Sequence, residues 1–480
     1  MAKRTKSRPG ARRRSPSNGE RKVSKAAKAI QSLPVLDGDT AGIDIGATEI
    51  YVAVPVDRDE EPVRCFETFT VDLLEIAKWL KQCGIRRIAM ESTGVYWIPL
   101  FEILSEQKFE LCLVNARHFK NVPGRKTDVQ DCQWLQFLHS VGLLRGSYRP
   151  DQDVCGLRTL LRYRNELIQF GVSHIQHMQK ALEQMNIKLG SVISELTGVT
   201  GLRIIDAILS GERDLTKLAK LRDKRVRATE EVLMKSLDGN LRPEHLTTLR
   251  MSLGFYRHNQ TQIAVLDREI ETALNQLPAG IDTAQHPLPP SKKKSTPKKK
   301  TNSPAFDLRS HCYRILGVDL TAIDGIDEVT AHMVVTEVGP DFSAFKSSAQ
   351  FCSWLRLCPN NTVTGGRVLS RKSQKGKNRL AIALRNAAAT MHSSQTQLGQ
   401  YLQRMKAIHG PAPAITATAH KIARIIYRMV TTKQAFDPSM LEQQNLRRKK
   451  NKEASIRRQA LDLGYQLTPI QPKNCATKTI

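Results

Sequence analysis

Gly124-Arg125-Lys126-Thr127-Asp128-Val129-Gln130-Asp131-Cys132-Gln133-Trp134-Leu135 is the short stretch around which the chain is organised. From Thr127 onward it predicts the opening of a helix. Thr127 can cap the free amides, and Asp128 and Asp131 fall in or near the first turn, where negative charge is favoured. Three residues apart, the two acids also share one helical face and can aim two carboxylates at one spot. Val129, Trp134, Leu135 and Leu138 would hold this helix against a core and so place the acidic face. Acids at helix starts are common, so the pair by itself decides little.

Upstream, from about Thr40, the texture is that of an α/β domain. Ala41–Ile45, Glu49–Val56 and Val63–Phe69 read as strands, the first two joined at a turn containing Gly46. Leu73, Ile76, Ala77 and Leu80 give helical spacing over Asp72–Cys83, and Ile85–Met90 reads as a buried strand after the break at Gly84. A helix over Val95–Gln107 and an apolar strand at Leu111–Val114 then lead into the quoted stretch. Three meandering strands, then helix, strand, helix, strand, helix is the order of an RNase H-like domain; a flavodoxin-like sheet is the alternative.

That order gives two more acids a common address. Asp44 lies in the first strand, in Gly42-Ile43-Asp44-Ile45-Gly46, where a glycine admits close approach of a ligand. Glu91 stands at the carboxyl end of the fourth, where open α/β sheets place ligands. If strands one and four are neighbours, Asp44, Glu91 and the Asp128/Asp131 face converge. Four carboxylates in one place repel, and Mg²⁺, which prefers oxygen ligands, is the usual remedy. Two such ions serve in-line displacement at a phosphodiester. Singly, the acids have plainer explanations as a turn residue, a surface acid and a helix cap. Their joint placement favours the chemistry.

The segments GIDIGATEIYVAV (42–54), AMESTGVYW (89–97) and VPGRKTDVQDCQWL (122–135) resemble the N-terminal, Holliday-junction-resolvase-like (RuvC-like) domain of the bridge-RNA-guided insertion-sequence DEDD transposases. The four acids of that family fall on Asp44, Glu91, Asp128 and Asp131. The resemblance implies a catalytic site holding Mg²⁺, with Arg125 and Lys126 beside it as nucleic-acid contacts. It also implies strand cleavage through a covalent protein–DNA ester, a structured guide RNA and a homo-oligomer, dimer or tetramer.

Downstream, Leu161, Ile168, Ile175 and Leu182 form a seven-residue column, with Leu157, Met178 and Met185 beside it, and predict one long helix with a coiled-coil-like stripe. After a Gly-rich interval at 198–211, Leu215–Leu277 reads as more helix, broken near Gly239 and Pro243. Periodicity leaves an intramolecular helical hairpin and a dimerisation arm equally open; the resemblance favours the arm. His286–Ser303, with Lys292–Lys294 and Lys298–Lys300, reads as a mobile basic linker.

From Phe306 the chain reads as a mostly helical C-terminal domain. Leu320–Asp327 followed by Val329–Val338 resembles a helix-hairpin-helix, whose turn amides can bind a phosphate. Phe351–Ser370 resembles the second hallmark of the same family: an apolar helix, a Pro-Asn-Asn turn, and a hydroxyl before a glycine pair. Gly365 and Gly366 would let a DNA backbone come close, and a hydroxyl beside them could attack phosphorus. The family's nucleophile is serine; here Thr364 stands in its place, with Ser370 as another hydroxyl nearby. Arg367, Arg371, Lys372, Lys375, Lys377 and Arg379 crowd this segment, as charge neutralisation around a scissile phosphate requires. The segment Ala414–Arg424 again resembles the family, with His420 read as structural. Beyond Pro438 the composition predicts a fraying basic tail.

Composition agrees with this assignment. The 480 residues carry a net charge of +28 with a pI near 9.9, which suits a polyanionic partner, DNA above all. No apolar run approaches a membrane span, and residues 1–30 hold eleven Lys or Arg against the single Glu20, without the apolar core of a signal peptide. Nine scattered cysteines without a Cys-x-x-Cys pair suit a reduced interior, so the expected location is cytoplasmic, at the nucleoid. The expected organisation is a disordered basic tail (1–39), an RNase H-like DEDD domain (40–150), a helical coiled-coil-like region (151–282), a basic linker (283–305), a transposase domain (306–435) and a basic polar tail (436–480). The sequence leaves two other functions open: a metal-dependent junction-resolving nuclease that uses water, and a non-catalytic nucleic-acid-binding derivative.

Overall fold

Strand β1 (Thr40–Ile45) is the axis of the N-terminal part of the protein, because it alone pairs in both senses. It runs antiparallel to β2 (Glu49–Ala53) on one side and parallel to β4 (Arg87–Glu91) on the other. Strand β3 (Val63–Glu67) extends the antiparallel meander, and β5 (Glu110–Val114) pairs parallel with β4, giving the order β3-β2-β1-β4-β5. The antiparallel meander excludes the all-parallel flavodoxin-like alternative and agrees with the RNase H-like order. The computed structural model describes residues 33–115, 128–291, 302–370, 373, 376 and 378–468. It divides into two compact units, Met1–Arg149 and Pro150–Ile480.

In a strand successive side chains face opposite sides of the sheet, so each face of this mixed sheet has its own cover. Ala41, Ile43 and Ile45 of β1, with Ile88 and Met90 of β4, pack on Leu73, Ile76 and Leu80 of α1 (Thr70–Gln82) and on Leu100 and Leu104 of α2 (Trp97–Glu106). The other face carries Ala89 and Val114 against Leu135 and Leu138 of α3 (Asp128–Ser140). Gly42, Asp44 and Glu91 fall on this α3 face by alternation.

The second unit is mainly helical. Its longest pair is α4 (Gln152–Gln184) and α9 (Pro243–Gln276), separated by the shorter helices α5 (Leu189–Val192), α6 (Val199–Leu209), α7 (Leu215–Lys220) and α8 (Glu230–Leu237). The contacts of α4 with α9 descend as α4 ascends. Arg164 bonds Asp267 at 2.5 Å, the Asn259 amide donates to the Leu167 carbonyl, and His174 stacks on Phe255. The pair is therefore an antiparallel hairpin within one chain. It covers the stripe that the family resemblance assigned to a dimerisation arm.

The buried row of α4 also differs from the seven-residue column. It runs through Leu157, Leu161, Arg164, Leu167, Gly171, Met178 and Leu182, while Ile168 and Ile175 are only half-buried. A straight helix has 3.6 residues per turn, so a strict heptad drifts off the contact. The Gly-rich interval at 198–211 is largely α6. Gly201 lies at its first turn, where an added Cβ would meet the Leu196 carbonyl oxygen at 2.0 Å.

Two further expectations change. The ends of the expected linker are tethered: the Tyr313 hydroxyl donates to the His286 carbonyl, Arg309 to that of Pro289 and Arg164 to that of Asn302. The two lysine triplets lie outside the described residues. Where a fraying tail is expected, Ser439–Asp462 forms a helix, labelled α16 below. Its run of Leu, Gln, Arg, Lys, Ala and Glu is rich in strong helix formers, and Glu453 and Arg457 pair one turn apart.

The C-terminal part of this unit packs α10 (Leu308–Leu316), α11 (Glu328–Glu337), α12 (Ser348–Trp354), α13 (Arg379–Ala389), α14 (Gln397–His409) and α15 (Pro411–Thr432), followed by α16. A two-stranded hairpin, β6 (Thr362–Thr364) and β7 (Arg367–Ser370), projects between α12 and α13 in the chain. No described helix is long and apolar enough to cross a membrane.

Candidate active site

The acidic site is built from one strand pair and one helix. Ile43 pairs with Met90 across the parallel β1–β4 ladder, so Asp44 and Glu91 are the next residues at the carboxyl ends of adjacent strands. Strand spacing in a sheet is about 4.8 Å, which brings the two backbones side by side, and both side chains fall on the α3 face.

Helix α3 approaches β1 as closely as a backbone can. A Cβ on Gly42 would lie 2.2 Å from the Cys132 carbonyl oxygen and 2.3 Å from the Gln136 backbone nitrogen. This glycine admits a helix rather than a ligand, which corrects the expectation for the Gly42–Gly46 segment. Gly46 in turn faces the Glu49 carbonyl of its own turn.

The direction of α3 follows from a second contact. Gln136 donates its side-chain amide to the Thr40 hydroxyl at 3.3 Å, so the helix ascends as β1 descends. Its first turn, with Asp128 and Asp131, therefore lies toward the Asp44 end. The Cys132 thiol registers the convergence. Burial pushes it up to about 12, and the charges of Asp44 and Asp131 push in the same direction. Glu91 is buried and accepts a hydrogen bond from the Thr93 hydroxyl at 2.8 Å.

Three of the expected acids are thus brought to one end of the sheet. The fourth, Asp128, opens α3, and its side chain lies outside those described, as do Arg125 and Lys126. Among the described residues no three His, Cys, Asp or Glu side chains are drawn together tightly enough to grip an ion. The donor set is nonetheless entirely carboxylate, the chemistry that suits a hard divalent cation.

The second expected site is the tip of the β6–β7 hairpin. Thr364 pairs with Arg367 across a two-residue turn, and Gly365 and Gly366 have φ of +54° and +77°. Two successive positive φ values define the turn that suits the twist of a hairpin, and glycine adopts them without strain. An added Cβ on either glycine would meet nothing within 4 Å. Thr364, Gly365, Gly366 and Arg367 are all exposed, as are Val363, Val368 and Leu369. Arg379 is exposed at the start of α13, which Asn378 caps through the Ala381 amide. Arg371, Lys372, Lys375 and Lys377 lie outside the described residues.

The helix-hairpin-helix-like segment is a short 3₁₀ turn, Leu320–Ala322, ahead of α11. Its Gly325, at φ +83°, turns toward α13, where a Cβ would meet the Ala387 carbonyl oxygen at 2.8 Å. That glycine serves packing.

Sequence reasoning missed the seat of α3 on Gly42, the Thr93 hydroxyl on Glu91, and a group of cations on α14 and α15 taken up below. The signal for the first was present, since a glycine in a central strand announces close approach. It does not say of what.

Comparison with known proteins bears on both sites. Residues 41–187 match the DEDD transposase domain of the IS110 type, and residues 319–403 match the family described as Transposase IS116/IS110/IS902. No curated protein matches the chain. The first match spans Asp44, Glu91, Asp128 and Asp131 and implies an active site dependent on a divalent metal; the second spans the hairpin with Thr364.

Proposed function

We propose, for a chain that belongs to the IS110-type transposases and is by that membership a DNA transposase, that two groups of residues share the strand-transfer chemistry, contributed by one protomer or by two. Asp44, Glu91, Asp128 and Asp131 would hold Mg²⁺, and Thr364 would supply the attacking hydroxyl. The observation that carries this is the register of β1 and β4 beneath α3: acids distant in sequence are presented at one end of one sheet face.

A bound divalent ion supplies charge neutralisation at the phosphoryl oxygens and at the leaving oxygen. The remaining tasks fall to the chain. Gly42 seats α3, so that Asp131 comes toward Asp44, and Thr93 orients Glu91 by donating to one carboxylate oxygen. Thr364, exposed beside two glycines that have open space around them, can approach a strand closely. Its oxygen forms a bond to phosphorus as the bond to the leaving strand breaks. The hydroxyl proton is released and the leaving oxygen takes one up. Arg367 and Arg379, with the basic run between them, would neutralise the flanking phosphates.

The test is to incubate the protein with end-labelled DNA and Mg²⁺ and look for an adduct that survives denaturant. The wild type should form it, and Thr364→Ala should lose it. Thr364→Ser should form it about ten times faster, since a β-methyl clash of about 1.4 kcal/mol corresponds to a factor of about ten in rate. Cleavage by Thr364→Ala that leaves free hydrolysed ends would overturn the hydroxyl role and identify water as the nucleophile.

A structured guide RNA completes the proposal. It is supported by the family resemblance and by a charge of +28, larger than solubility requires. Sequencing the RNA that copurifies should return one defined species. A random sample of cellular RNA would remove the guide from the account.

A further inference from the structure

Helix α15 buries Ala414, Thr418, Ala419, Ile422, Ala423, Ile426, Met429 and Val430, and turns Lys421, Arg424 and Arg428 to its other side. These three cations sit at i, i+3 and i+7, on one helical face. They line a cavity of about 610 Å³ together with Tyr401 of α14 and Arg448 of α16. Arg424, Arg428 and Arg448 are exposed at its rim, while Lys421 and Tyr401 are half-buried.

The floor of the cavity is laid out for an anion. The Lys421 amine lies 4.6 Å from the centre of the Tyr401 ring, and the Arg404 guanidinium carbon 5.3 Å from it. Arg404, on the same ring, is not itself a lining residue, and its Nη1 donates to Asn445 Oδ1 at 3.5 Å. Burial first, then the charges of Arg448, Arg404 and Arg424, lower the Lys421 amine to about 8. The one lining carboxylate, Asp437, accepts from the Ser439 amide and hydroxyl and is lowered also by the charge of Arg428, so four lining cations face one carboxylate. Like charges gathered around a recess destabilise one another, and a phosphate bound among them removes that repulsion.

We propose that this cavity binds a backbone phosphate of single-stranded nucleic acid. The recess selects the strand. Exposed rim arginines can meet any phosphate, but the smooth backbone of a duplex cannot reach cations held between three helices, whereas a single strand can bend into the cavity. The assignment does not depend on the metal or on Thr364, because binding is measured without cleavage.

The experiment uses the full chain in EDTA, with a labelled single-stranded oligonucleotide, the matching duplex, and inorganic pyrophosphate as competitor. Lys421→Gln/Arg424→Gln should weaken single-strand binding by roughly tenfold at 0.1 M salt. It should also flatten the slope of log affinity against log salt by roughly one, the counterion yield of one or two phosphates. Duplex binding should fall no more than about threefold, since of the two only Arg424 stands at the rim and the remaining rim and tail cations still serve a duplex. The control Lys217→Gln/Lys220→Gln removes the same charge from exposed positions of α7 and should change neither.

An equal loss in the control, or an equal loss for duplex, would overturn the assignment by showing bulk charge alone. Pyrophosphate should displace the strand from the wild type and compete less well against the double variant. Pyrophosphate binding that depends on Lys421 while strand binding does not would make this a small-phosphate site and also overturn it. The melting temperature of the variant reports whether its fold is kept. If it falls, Lys421→Met, which keeps the apolar stem against the Tyr401 ring, carries the same comparison, with about half the effect on the salt slope.

Discussion

Asp44→Ala is expected to reduce DNA strand cleavage by about a thousandfold or more while leaving DNA affinity within about twofold. Neutralising the charge that develops in phosphoryl displacement contributes several kcal/mol, and each 1.36 kcal/mol is a factor of ten in rate. Asp44 is the acid best placed to contribute. It sits on the central strand, beside Glu91 in register and under the helix that carries Asp131. Its side chain is one carboxylate in a chain of net charge +28, so non-specific affinity should hardly change. The measurement pairs a cleavage time course with a binding titration. Cleavage surviving at more than a tenth of the wild-type rate would remove Asp44 from the chemistry.

Gly42→Ala is expected to cost about 3 kcal/mol of stability and roughly a hundredfold in cleavage, although no functional group changes. The methyl group would be driven into the Cys132 carbonyl oxygen and the Gln136 nitrogen, both backbone atoms. Forced overpacking typically costs 1–3 kcal/mol, and a backbone cannot swing aside as a side chain can. If α3 lifts instead, Asp128 and Asp131 move with it, and a displacement near 1 Å at a reacting centre costs about a hundredfold. Denaturant unfolding and a cleavage assay on the same sample separate the two losses. Gly42→Ala behaving as wild type in both would mean that α3 is not seated on β1 as described.

The fold of the N-terminal unit was legible because each element has a clear period and a clear break. Alternation in Ala41–Ile45, Gly84 before the buried strand, and helical spacing in Leu73–Leu80 were enough to order the sheet. Asp44 and Glu91 were legible for a related reason, since polar residues at the ends of apolar strands stand out. The stripe of α4 was read less well. A seven-residue column picks Ile168 and Ile175, whereas the contact takes Leu167 and Gly171 and includes Arg164, a charge that hydropathy cannot place inside. Arg164 is buried there only because Asp267, about a hundred residues later, meets it. Pairings of that kind leave no local trace.

Helix α16 was missed for the opposite reason: its polar sequence offers no apolar stripe to detect, and only propensity speaks for it. The cavity on α15 was half visible. Lys421, Arg424 and Arg428 can be seen to share a helix face, but Tyr401 and Arg448 arrive from two other helices.

Cys132 offers a way to watch the acidic end of the sheet without any substrate. Its thiol is fully buried at the seam between α3 and β1, and its raised pKa keeps it protonated at neutral pH. An alkylating reagent can modify it only after the seam has opened, because the thiolate is the reactive form. The rate at which the peptide containing Cys132 gains mass is then a clock for helix undocking. If the carboxylates of strand and helix hold a divalent ion as proposed, adding that ion should slow the clock, and Gly42→Ala should speed it.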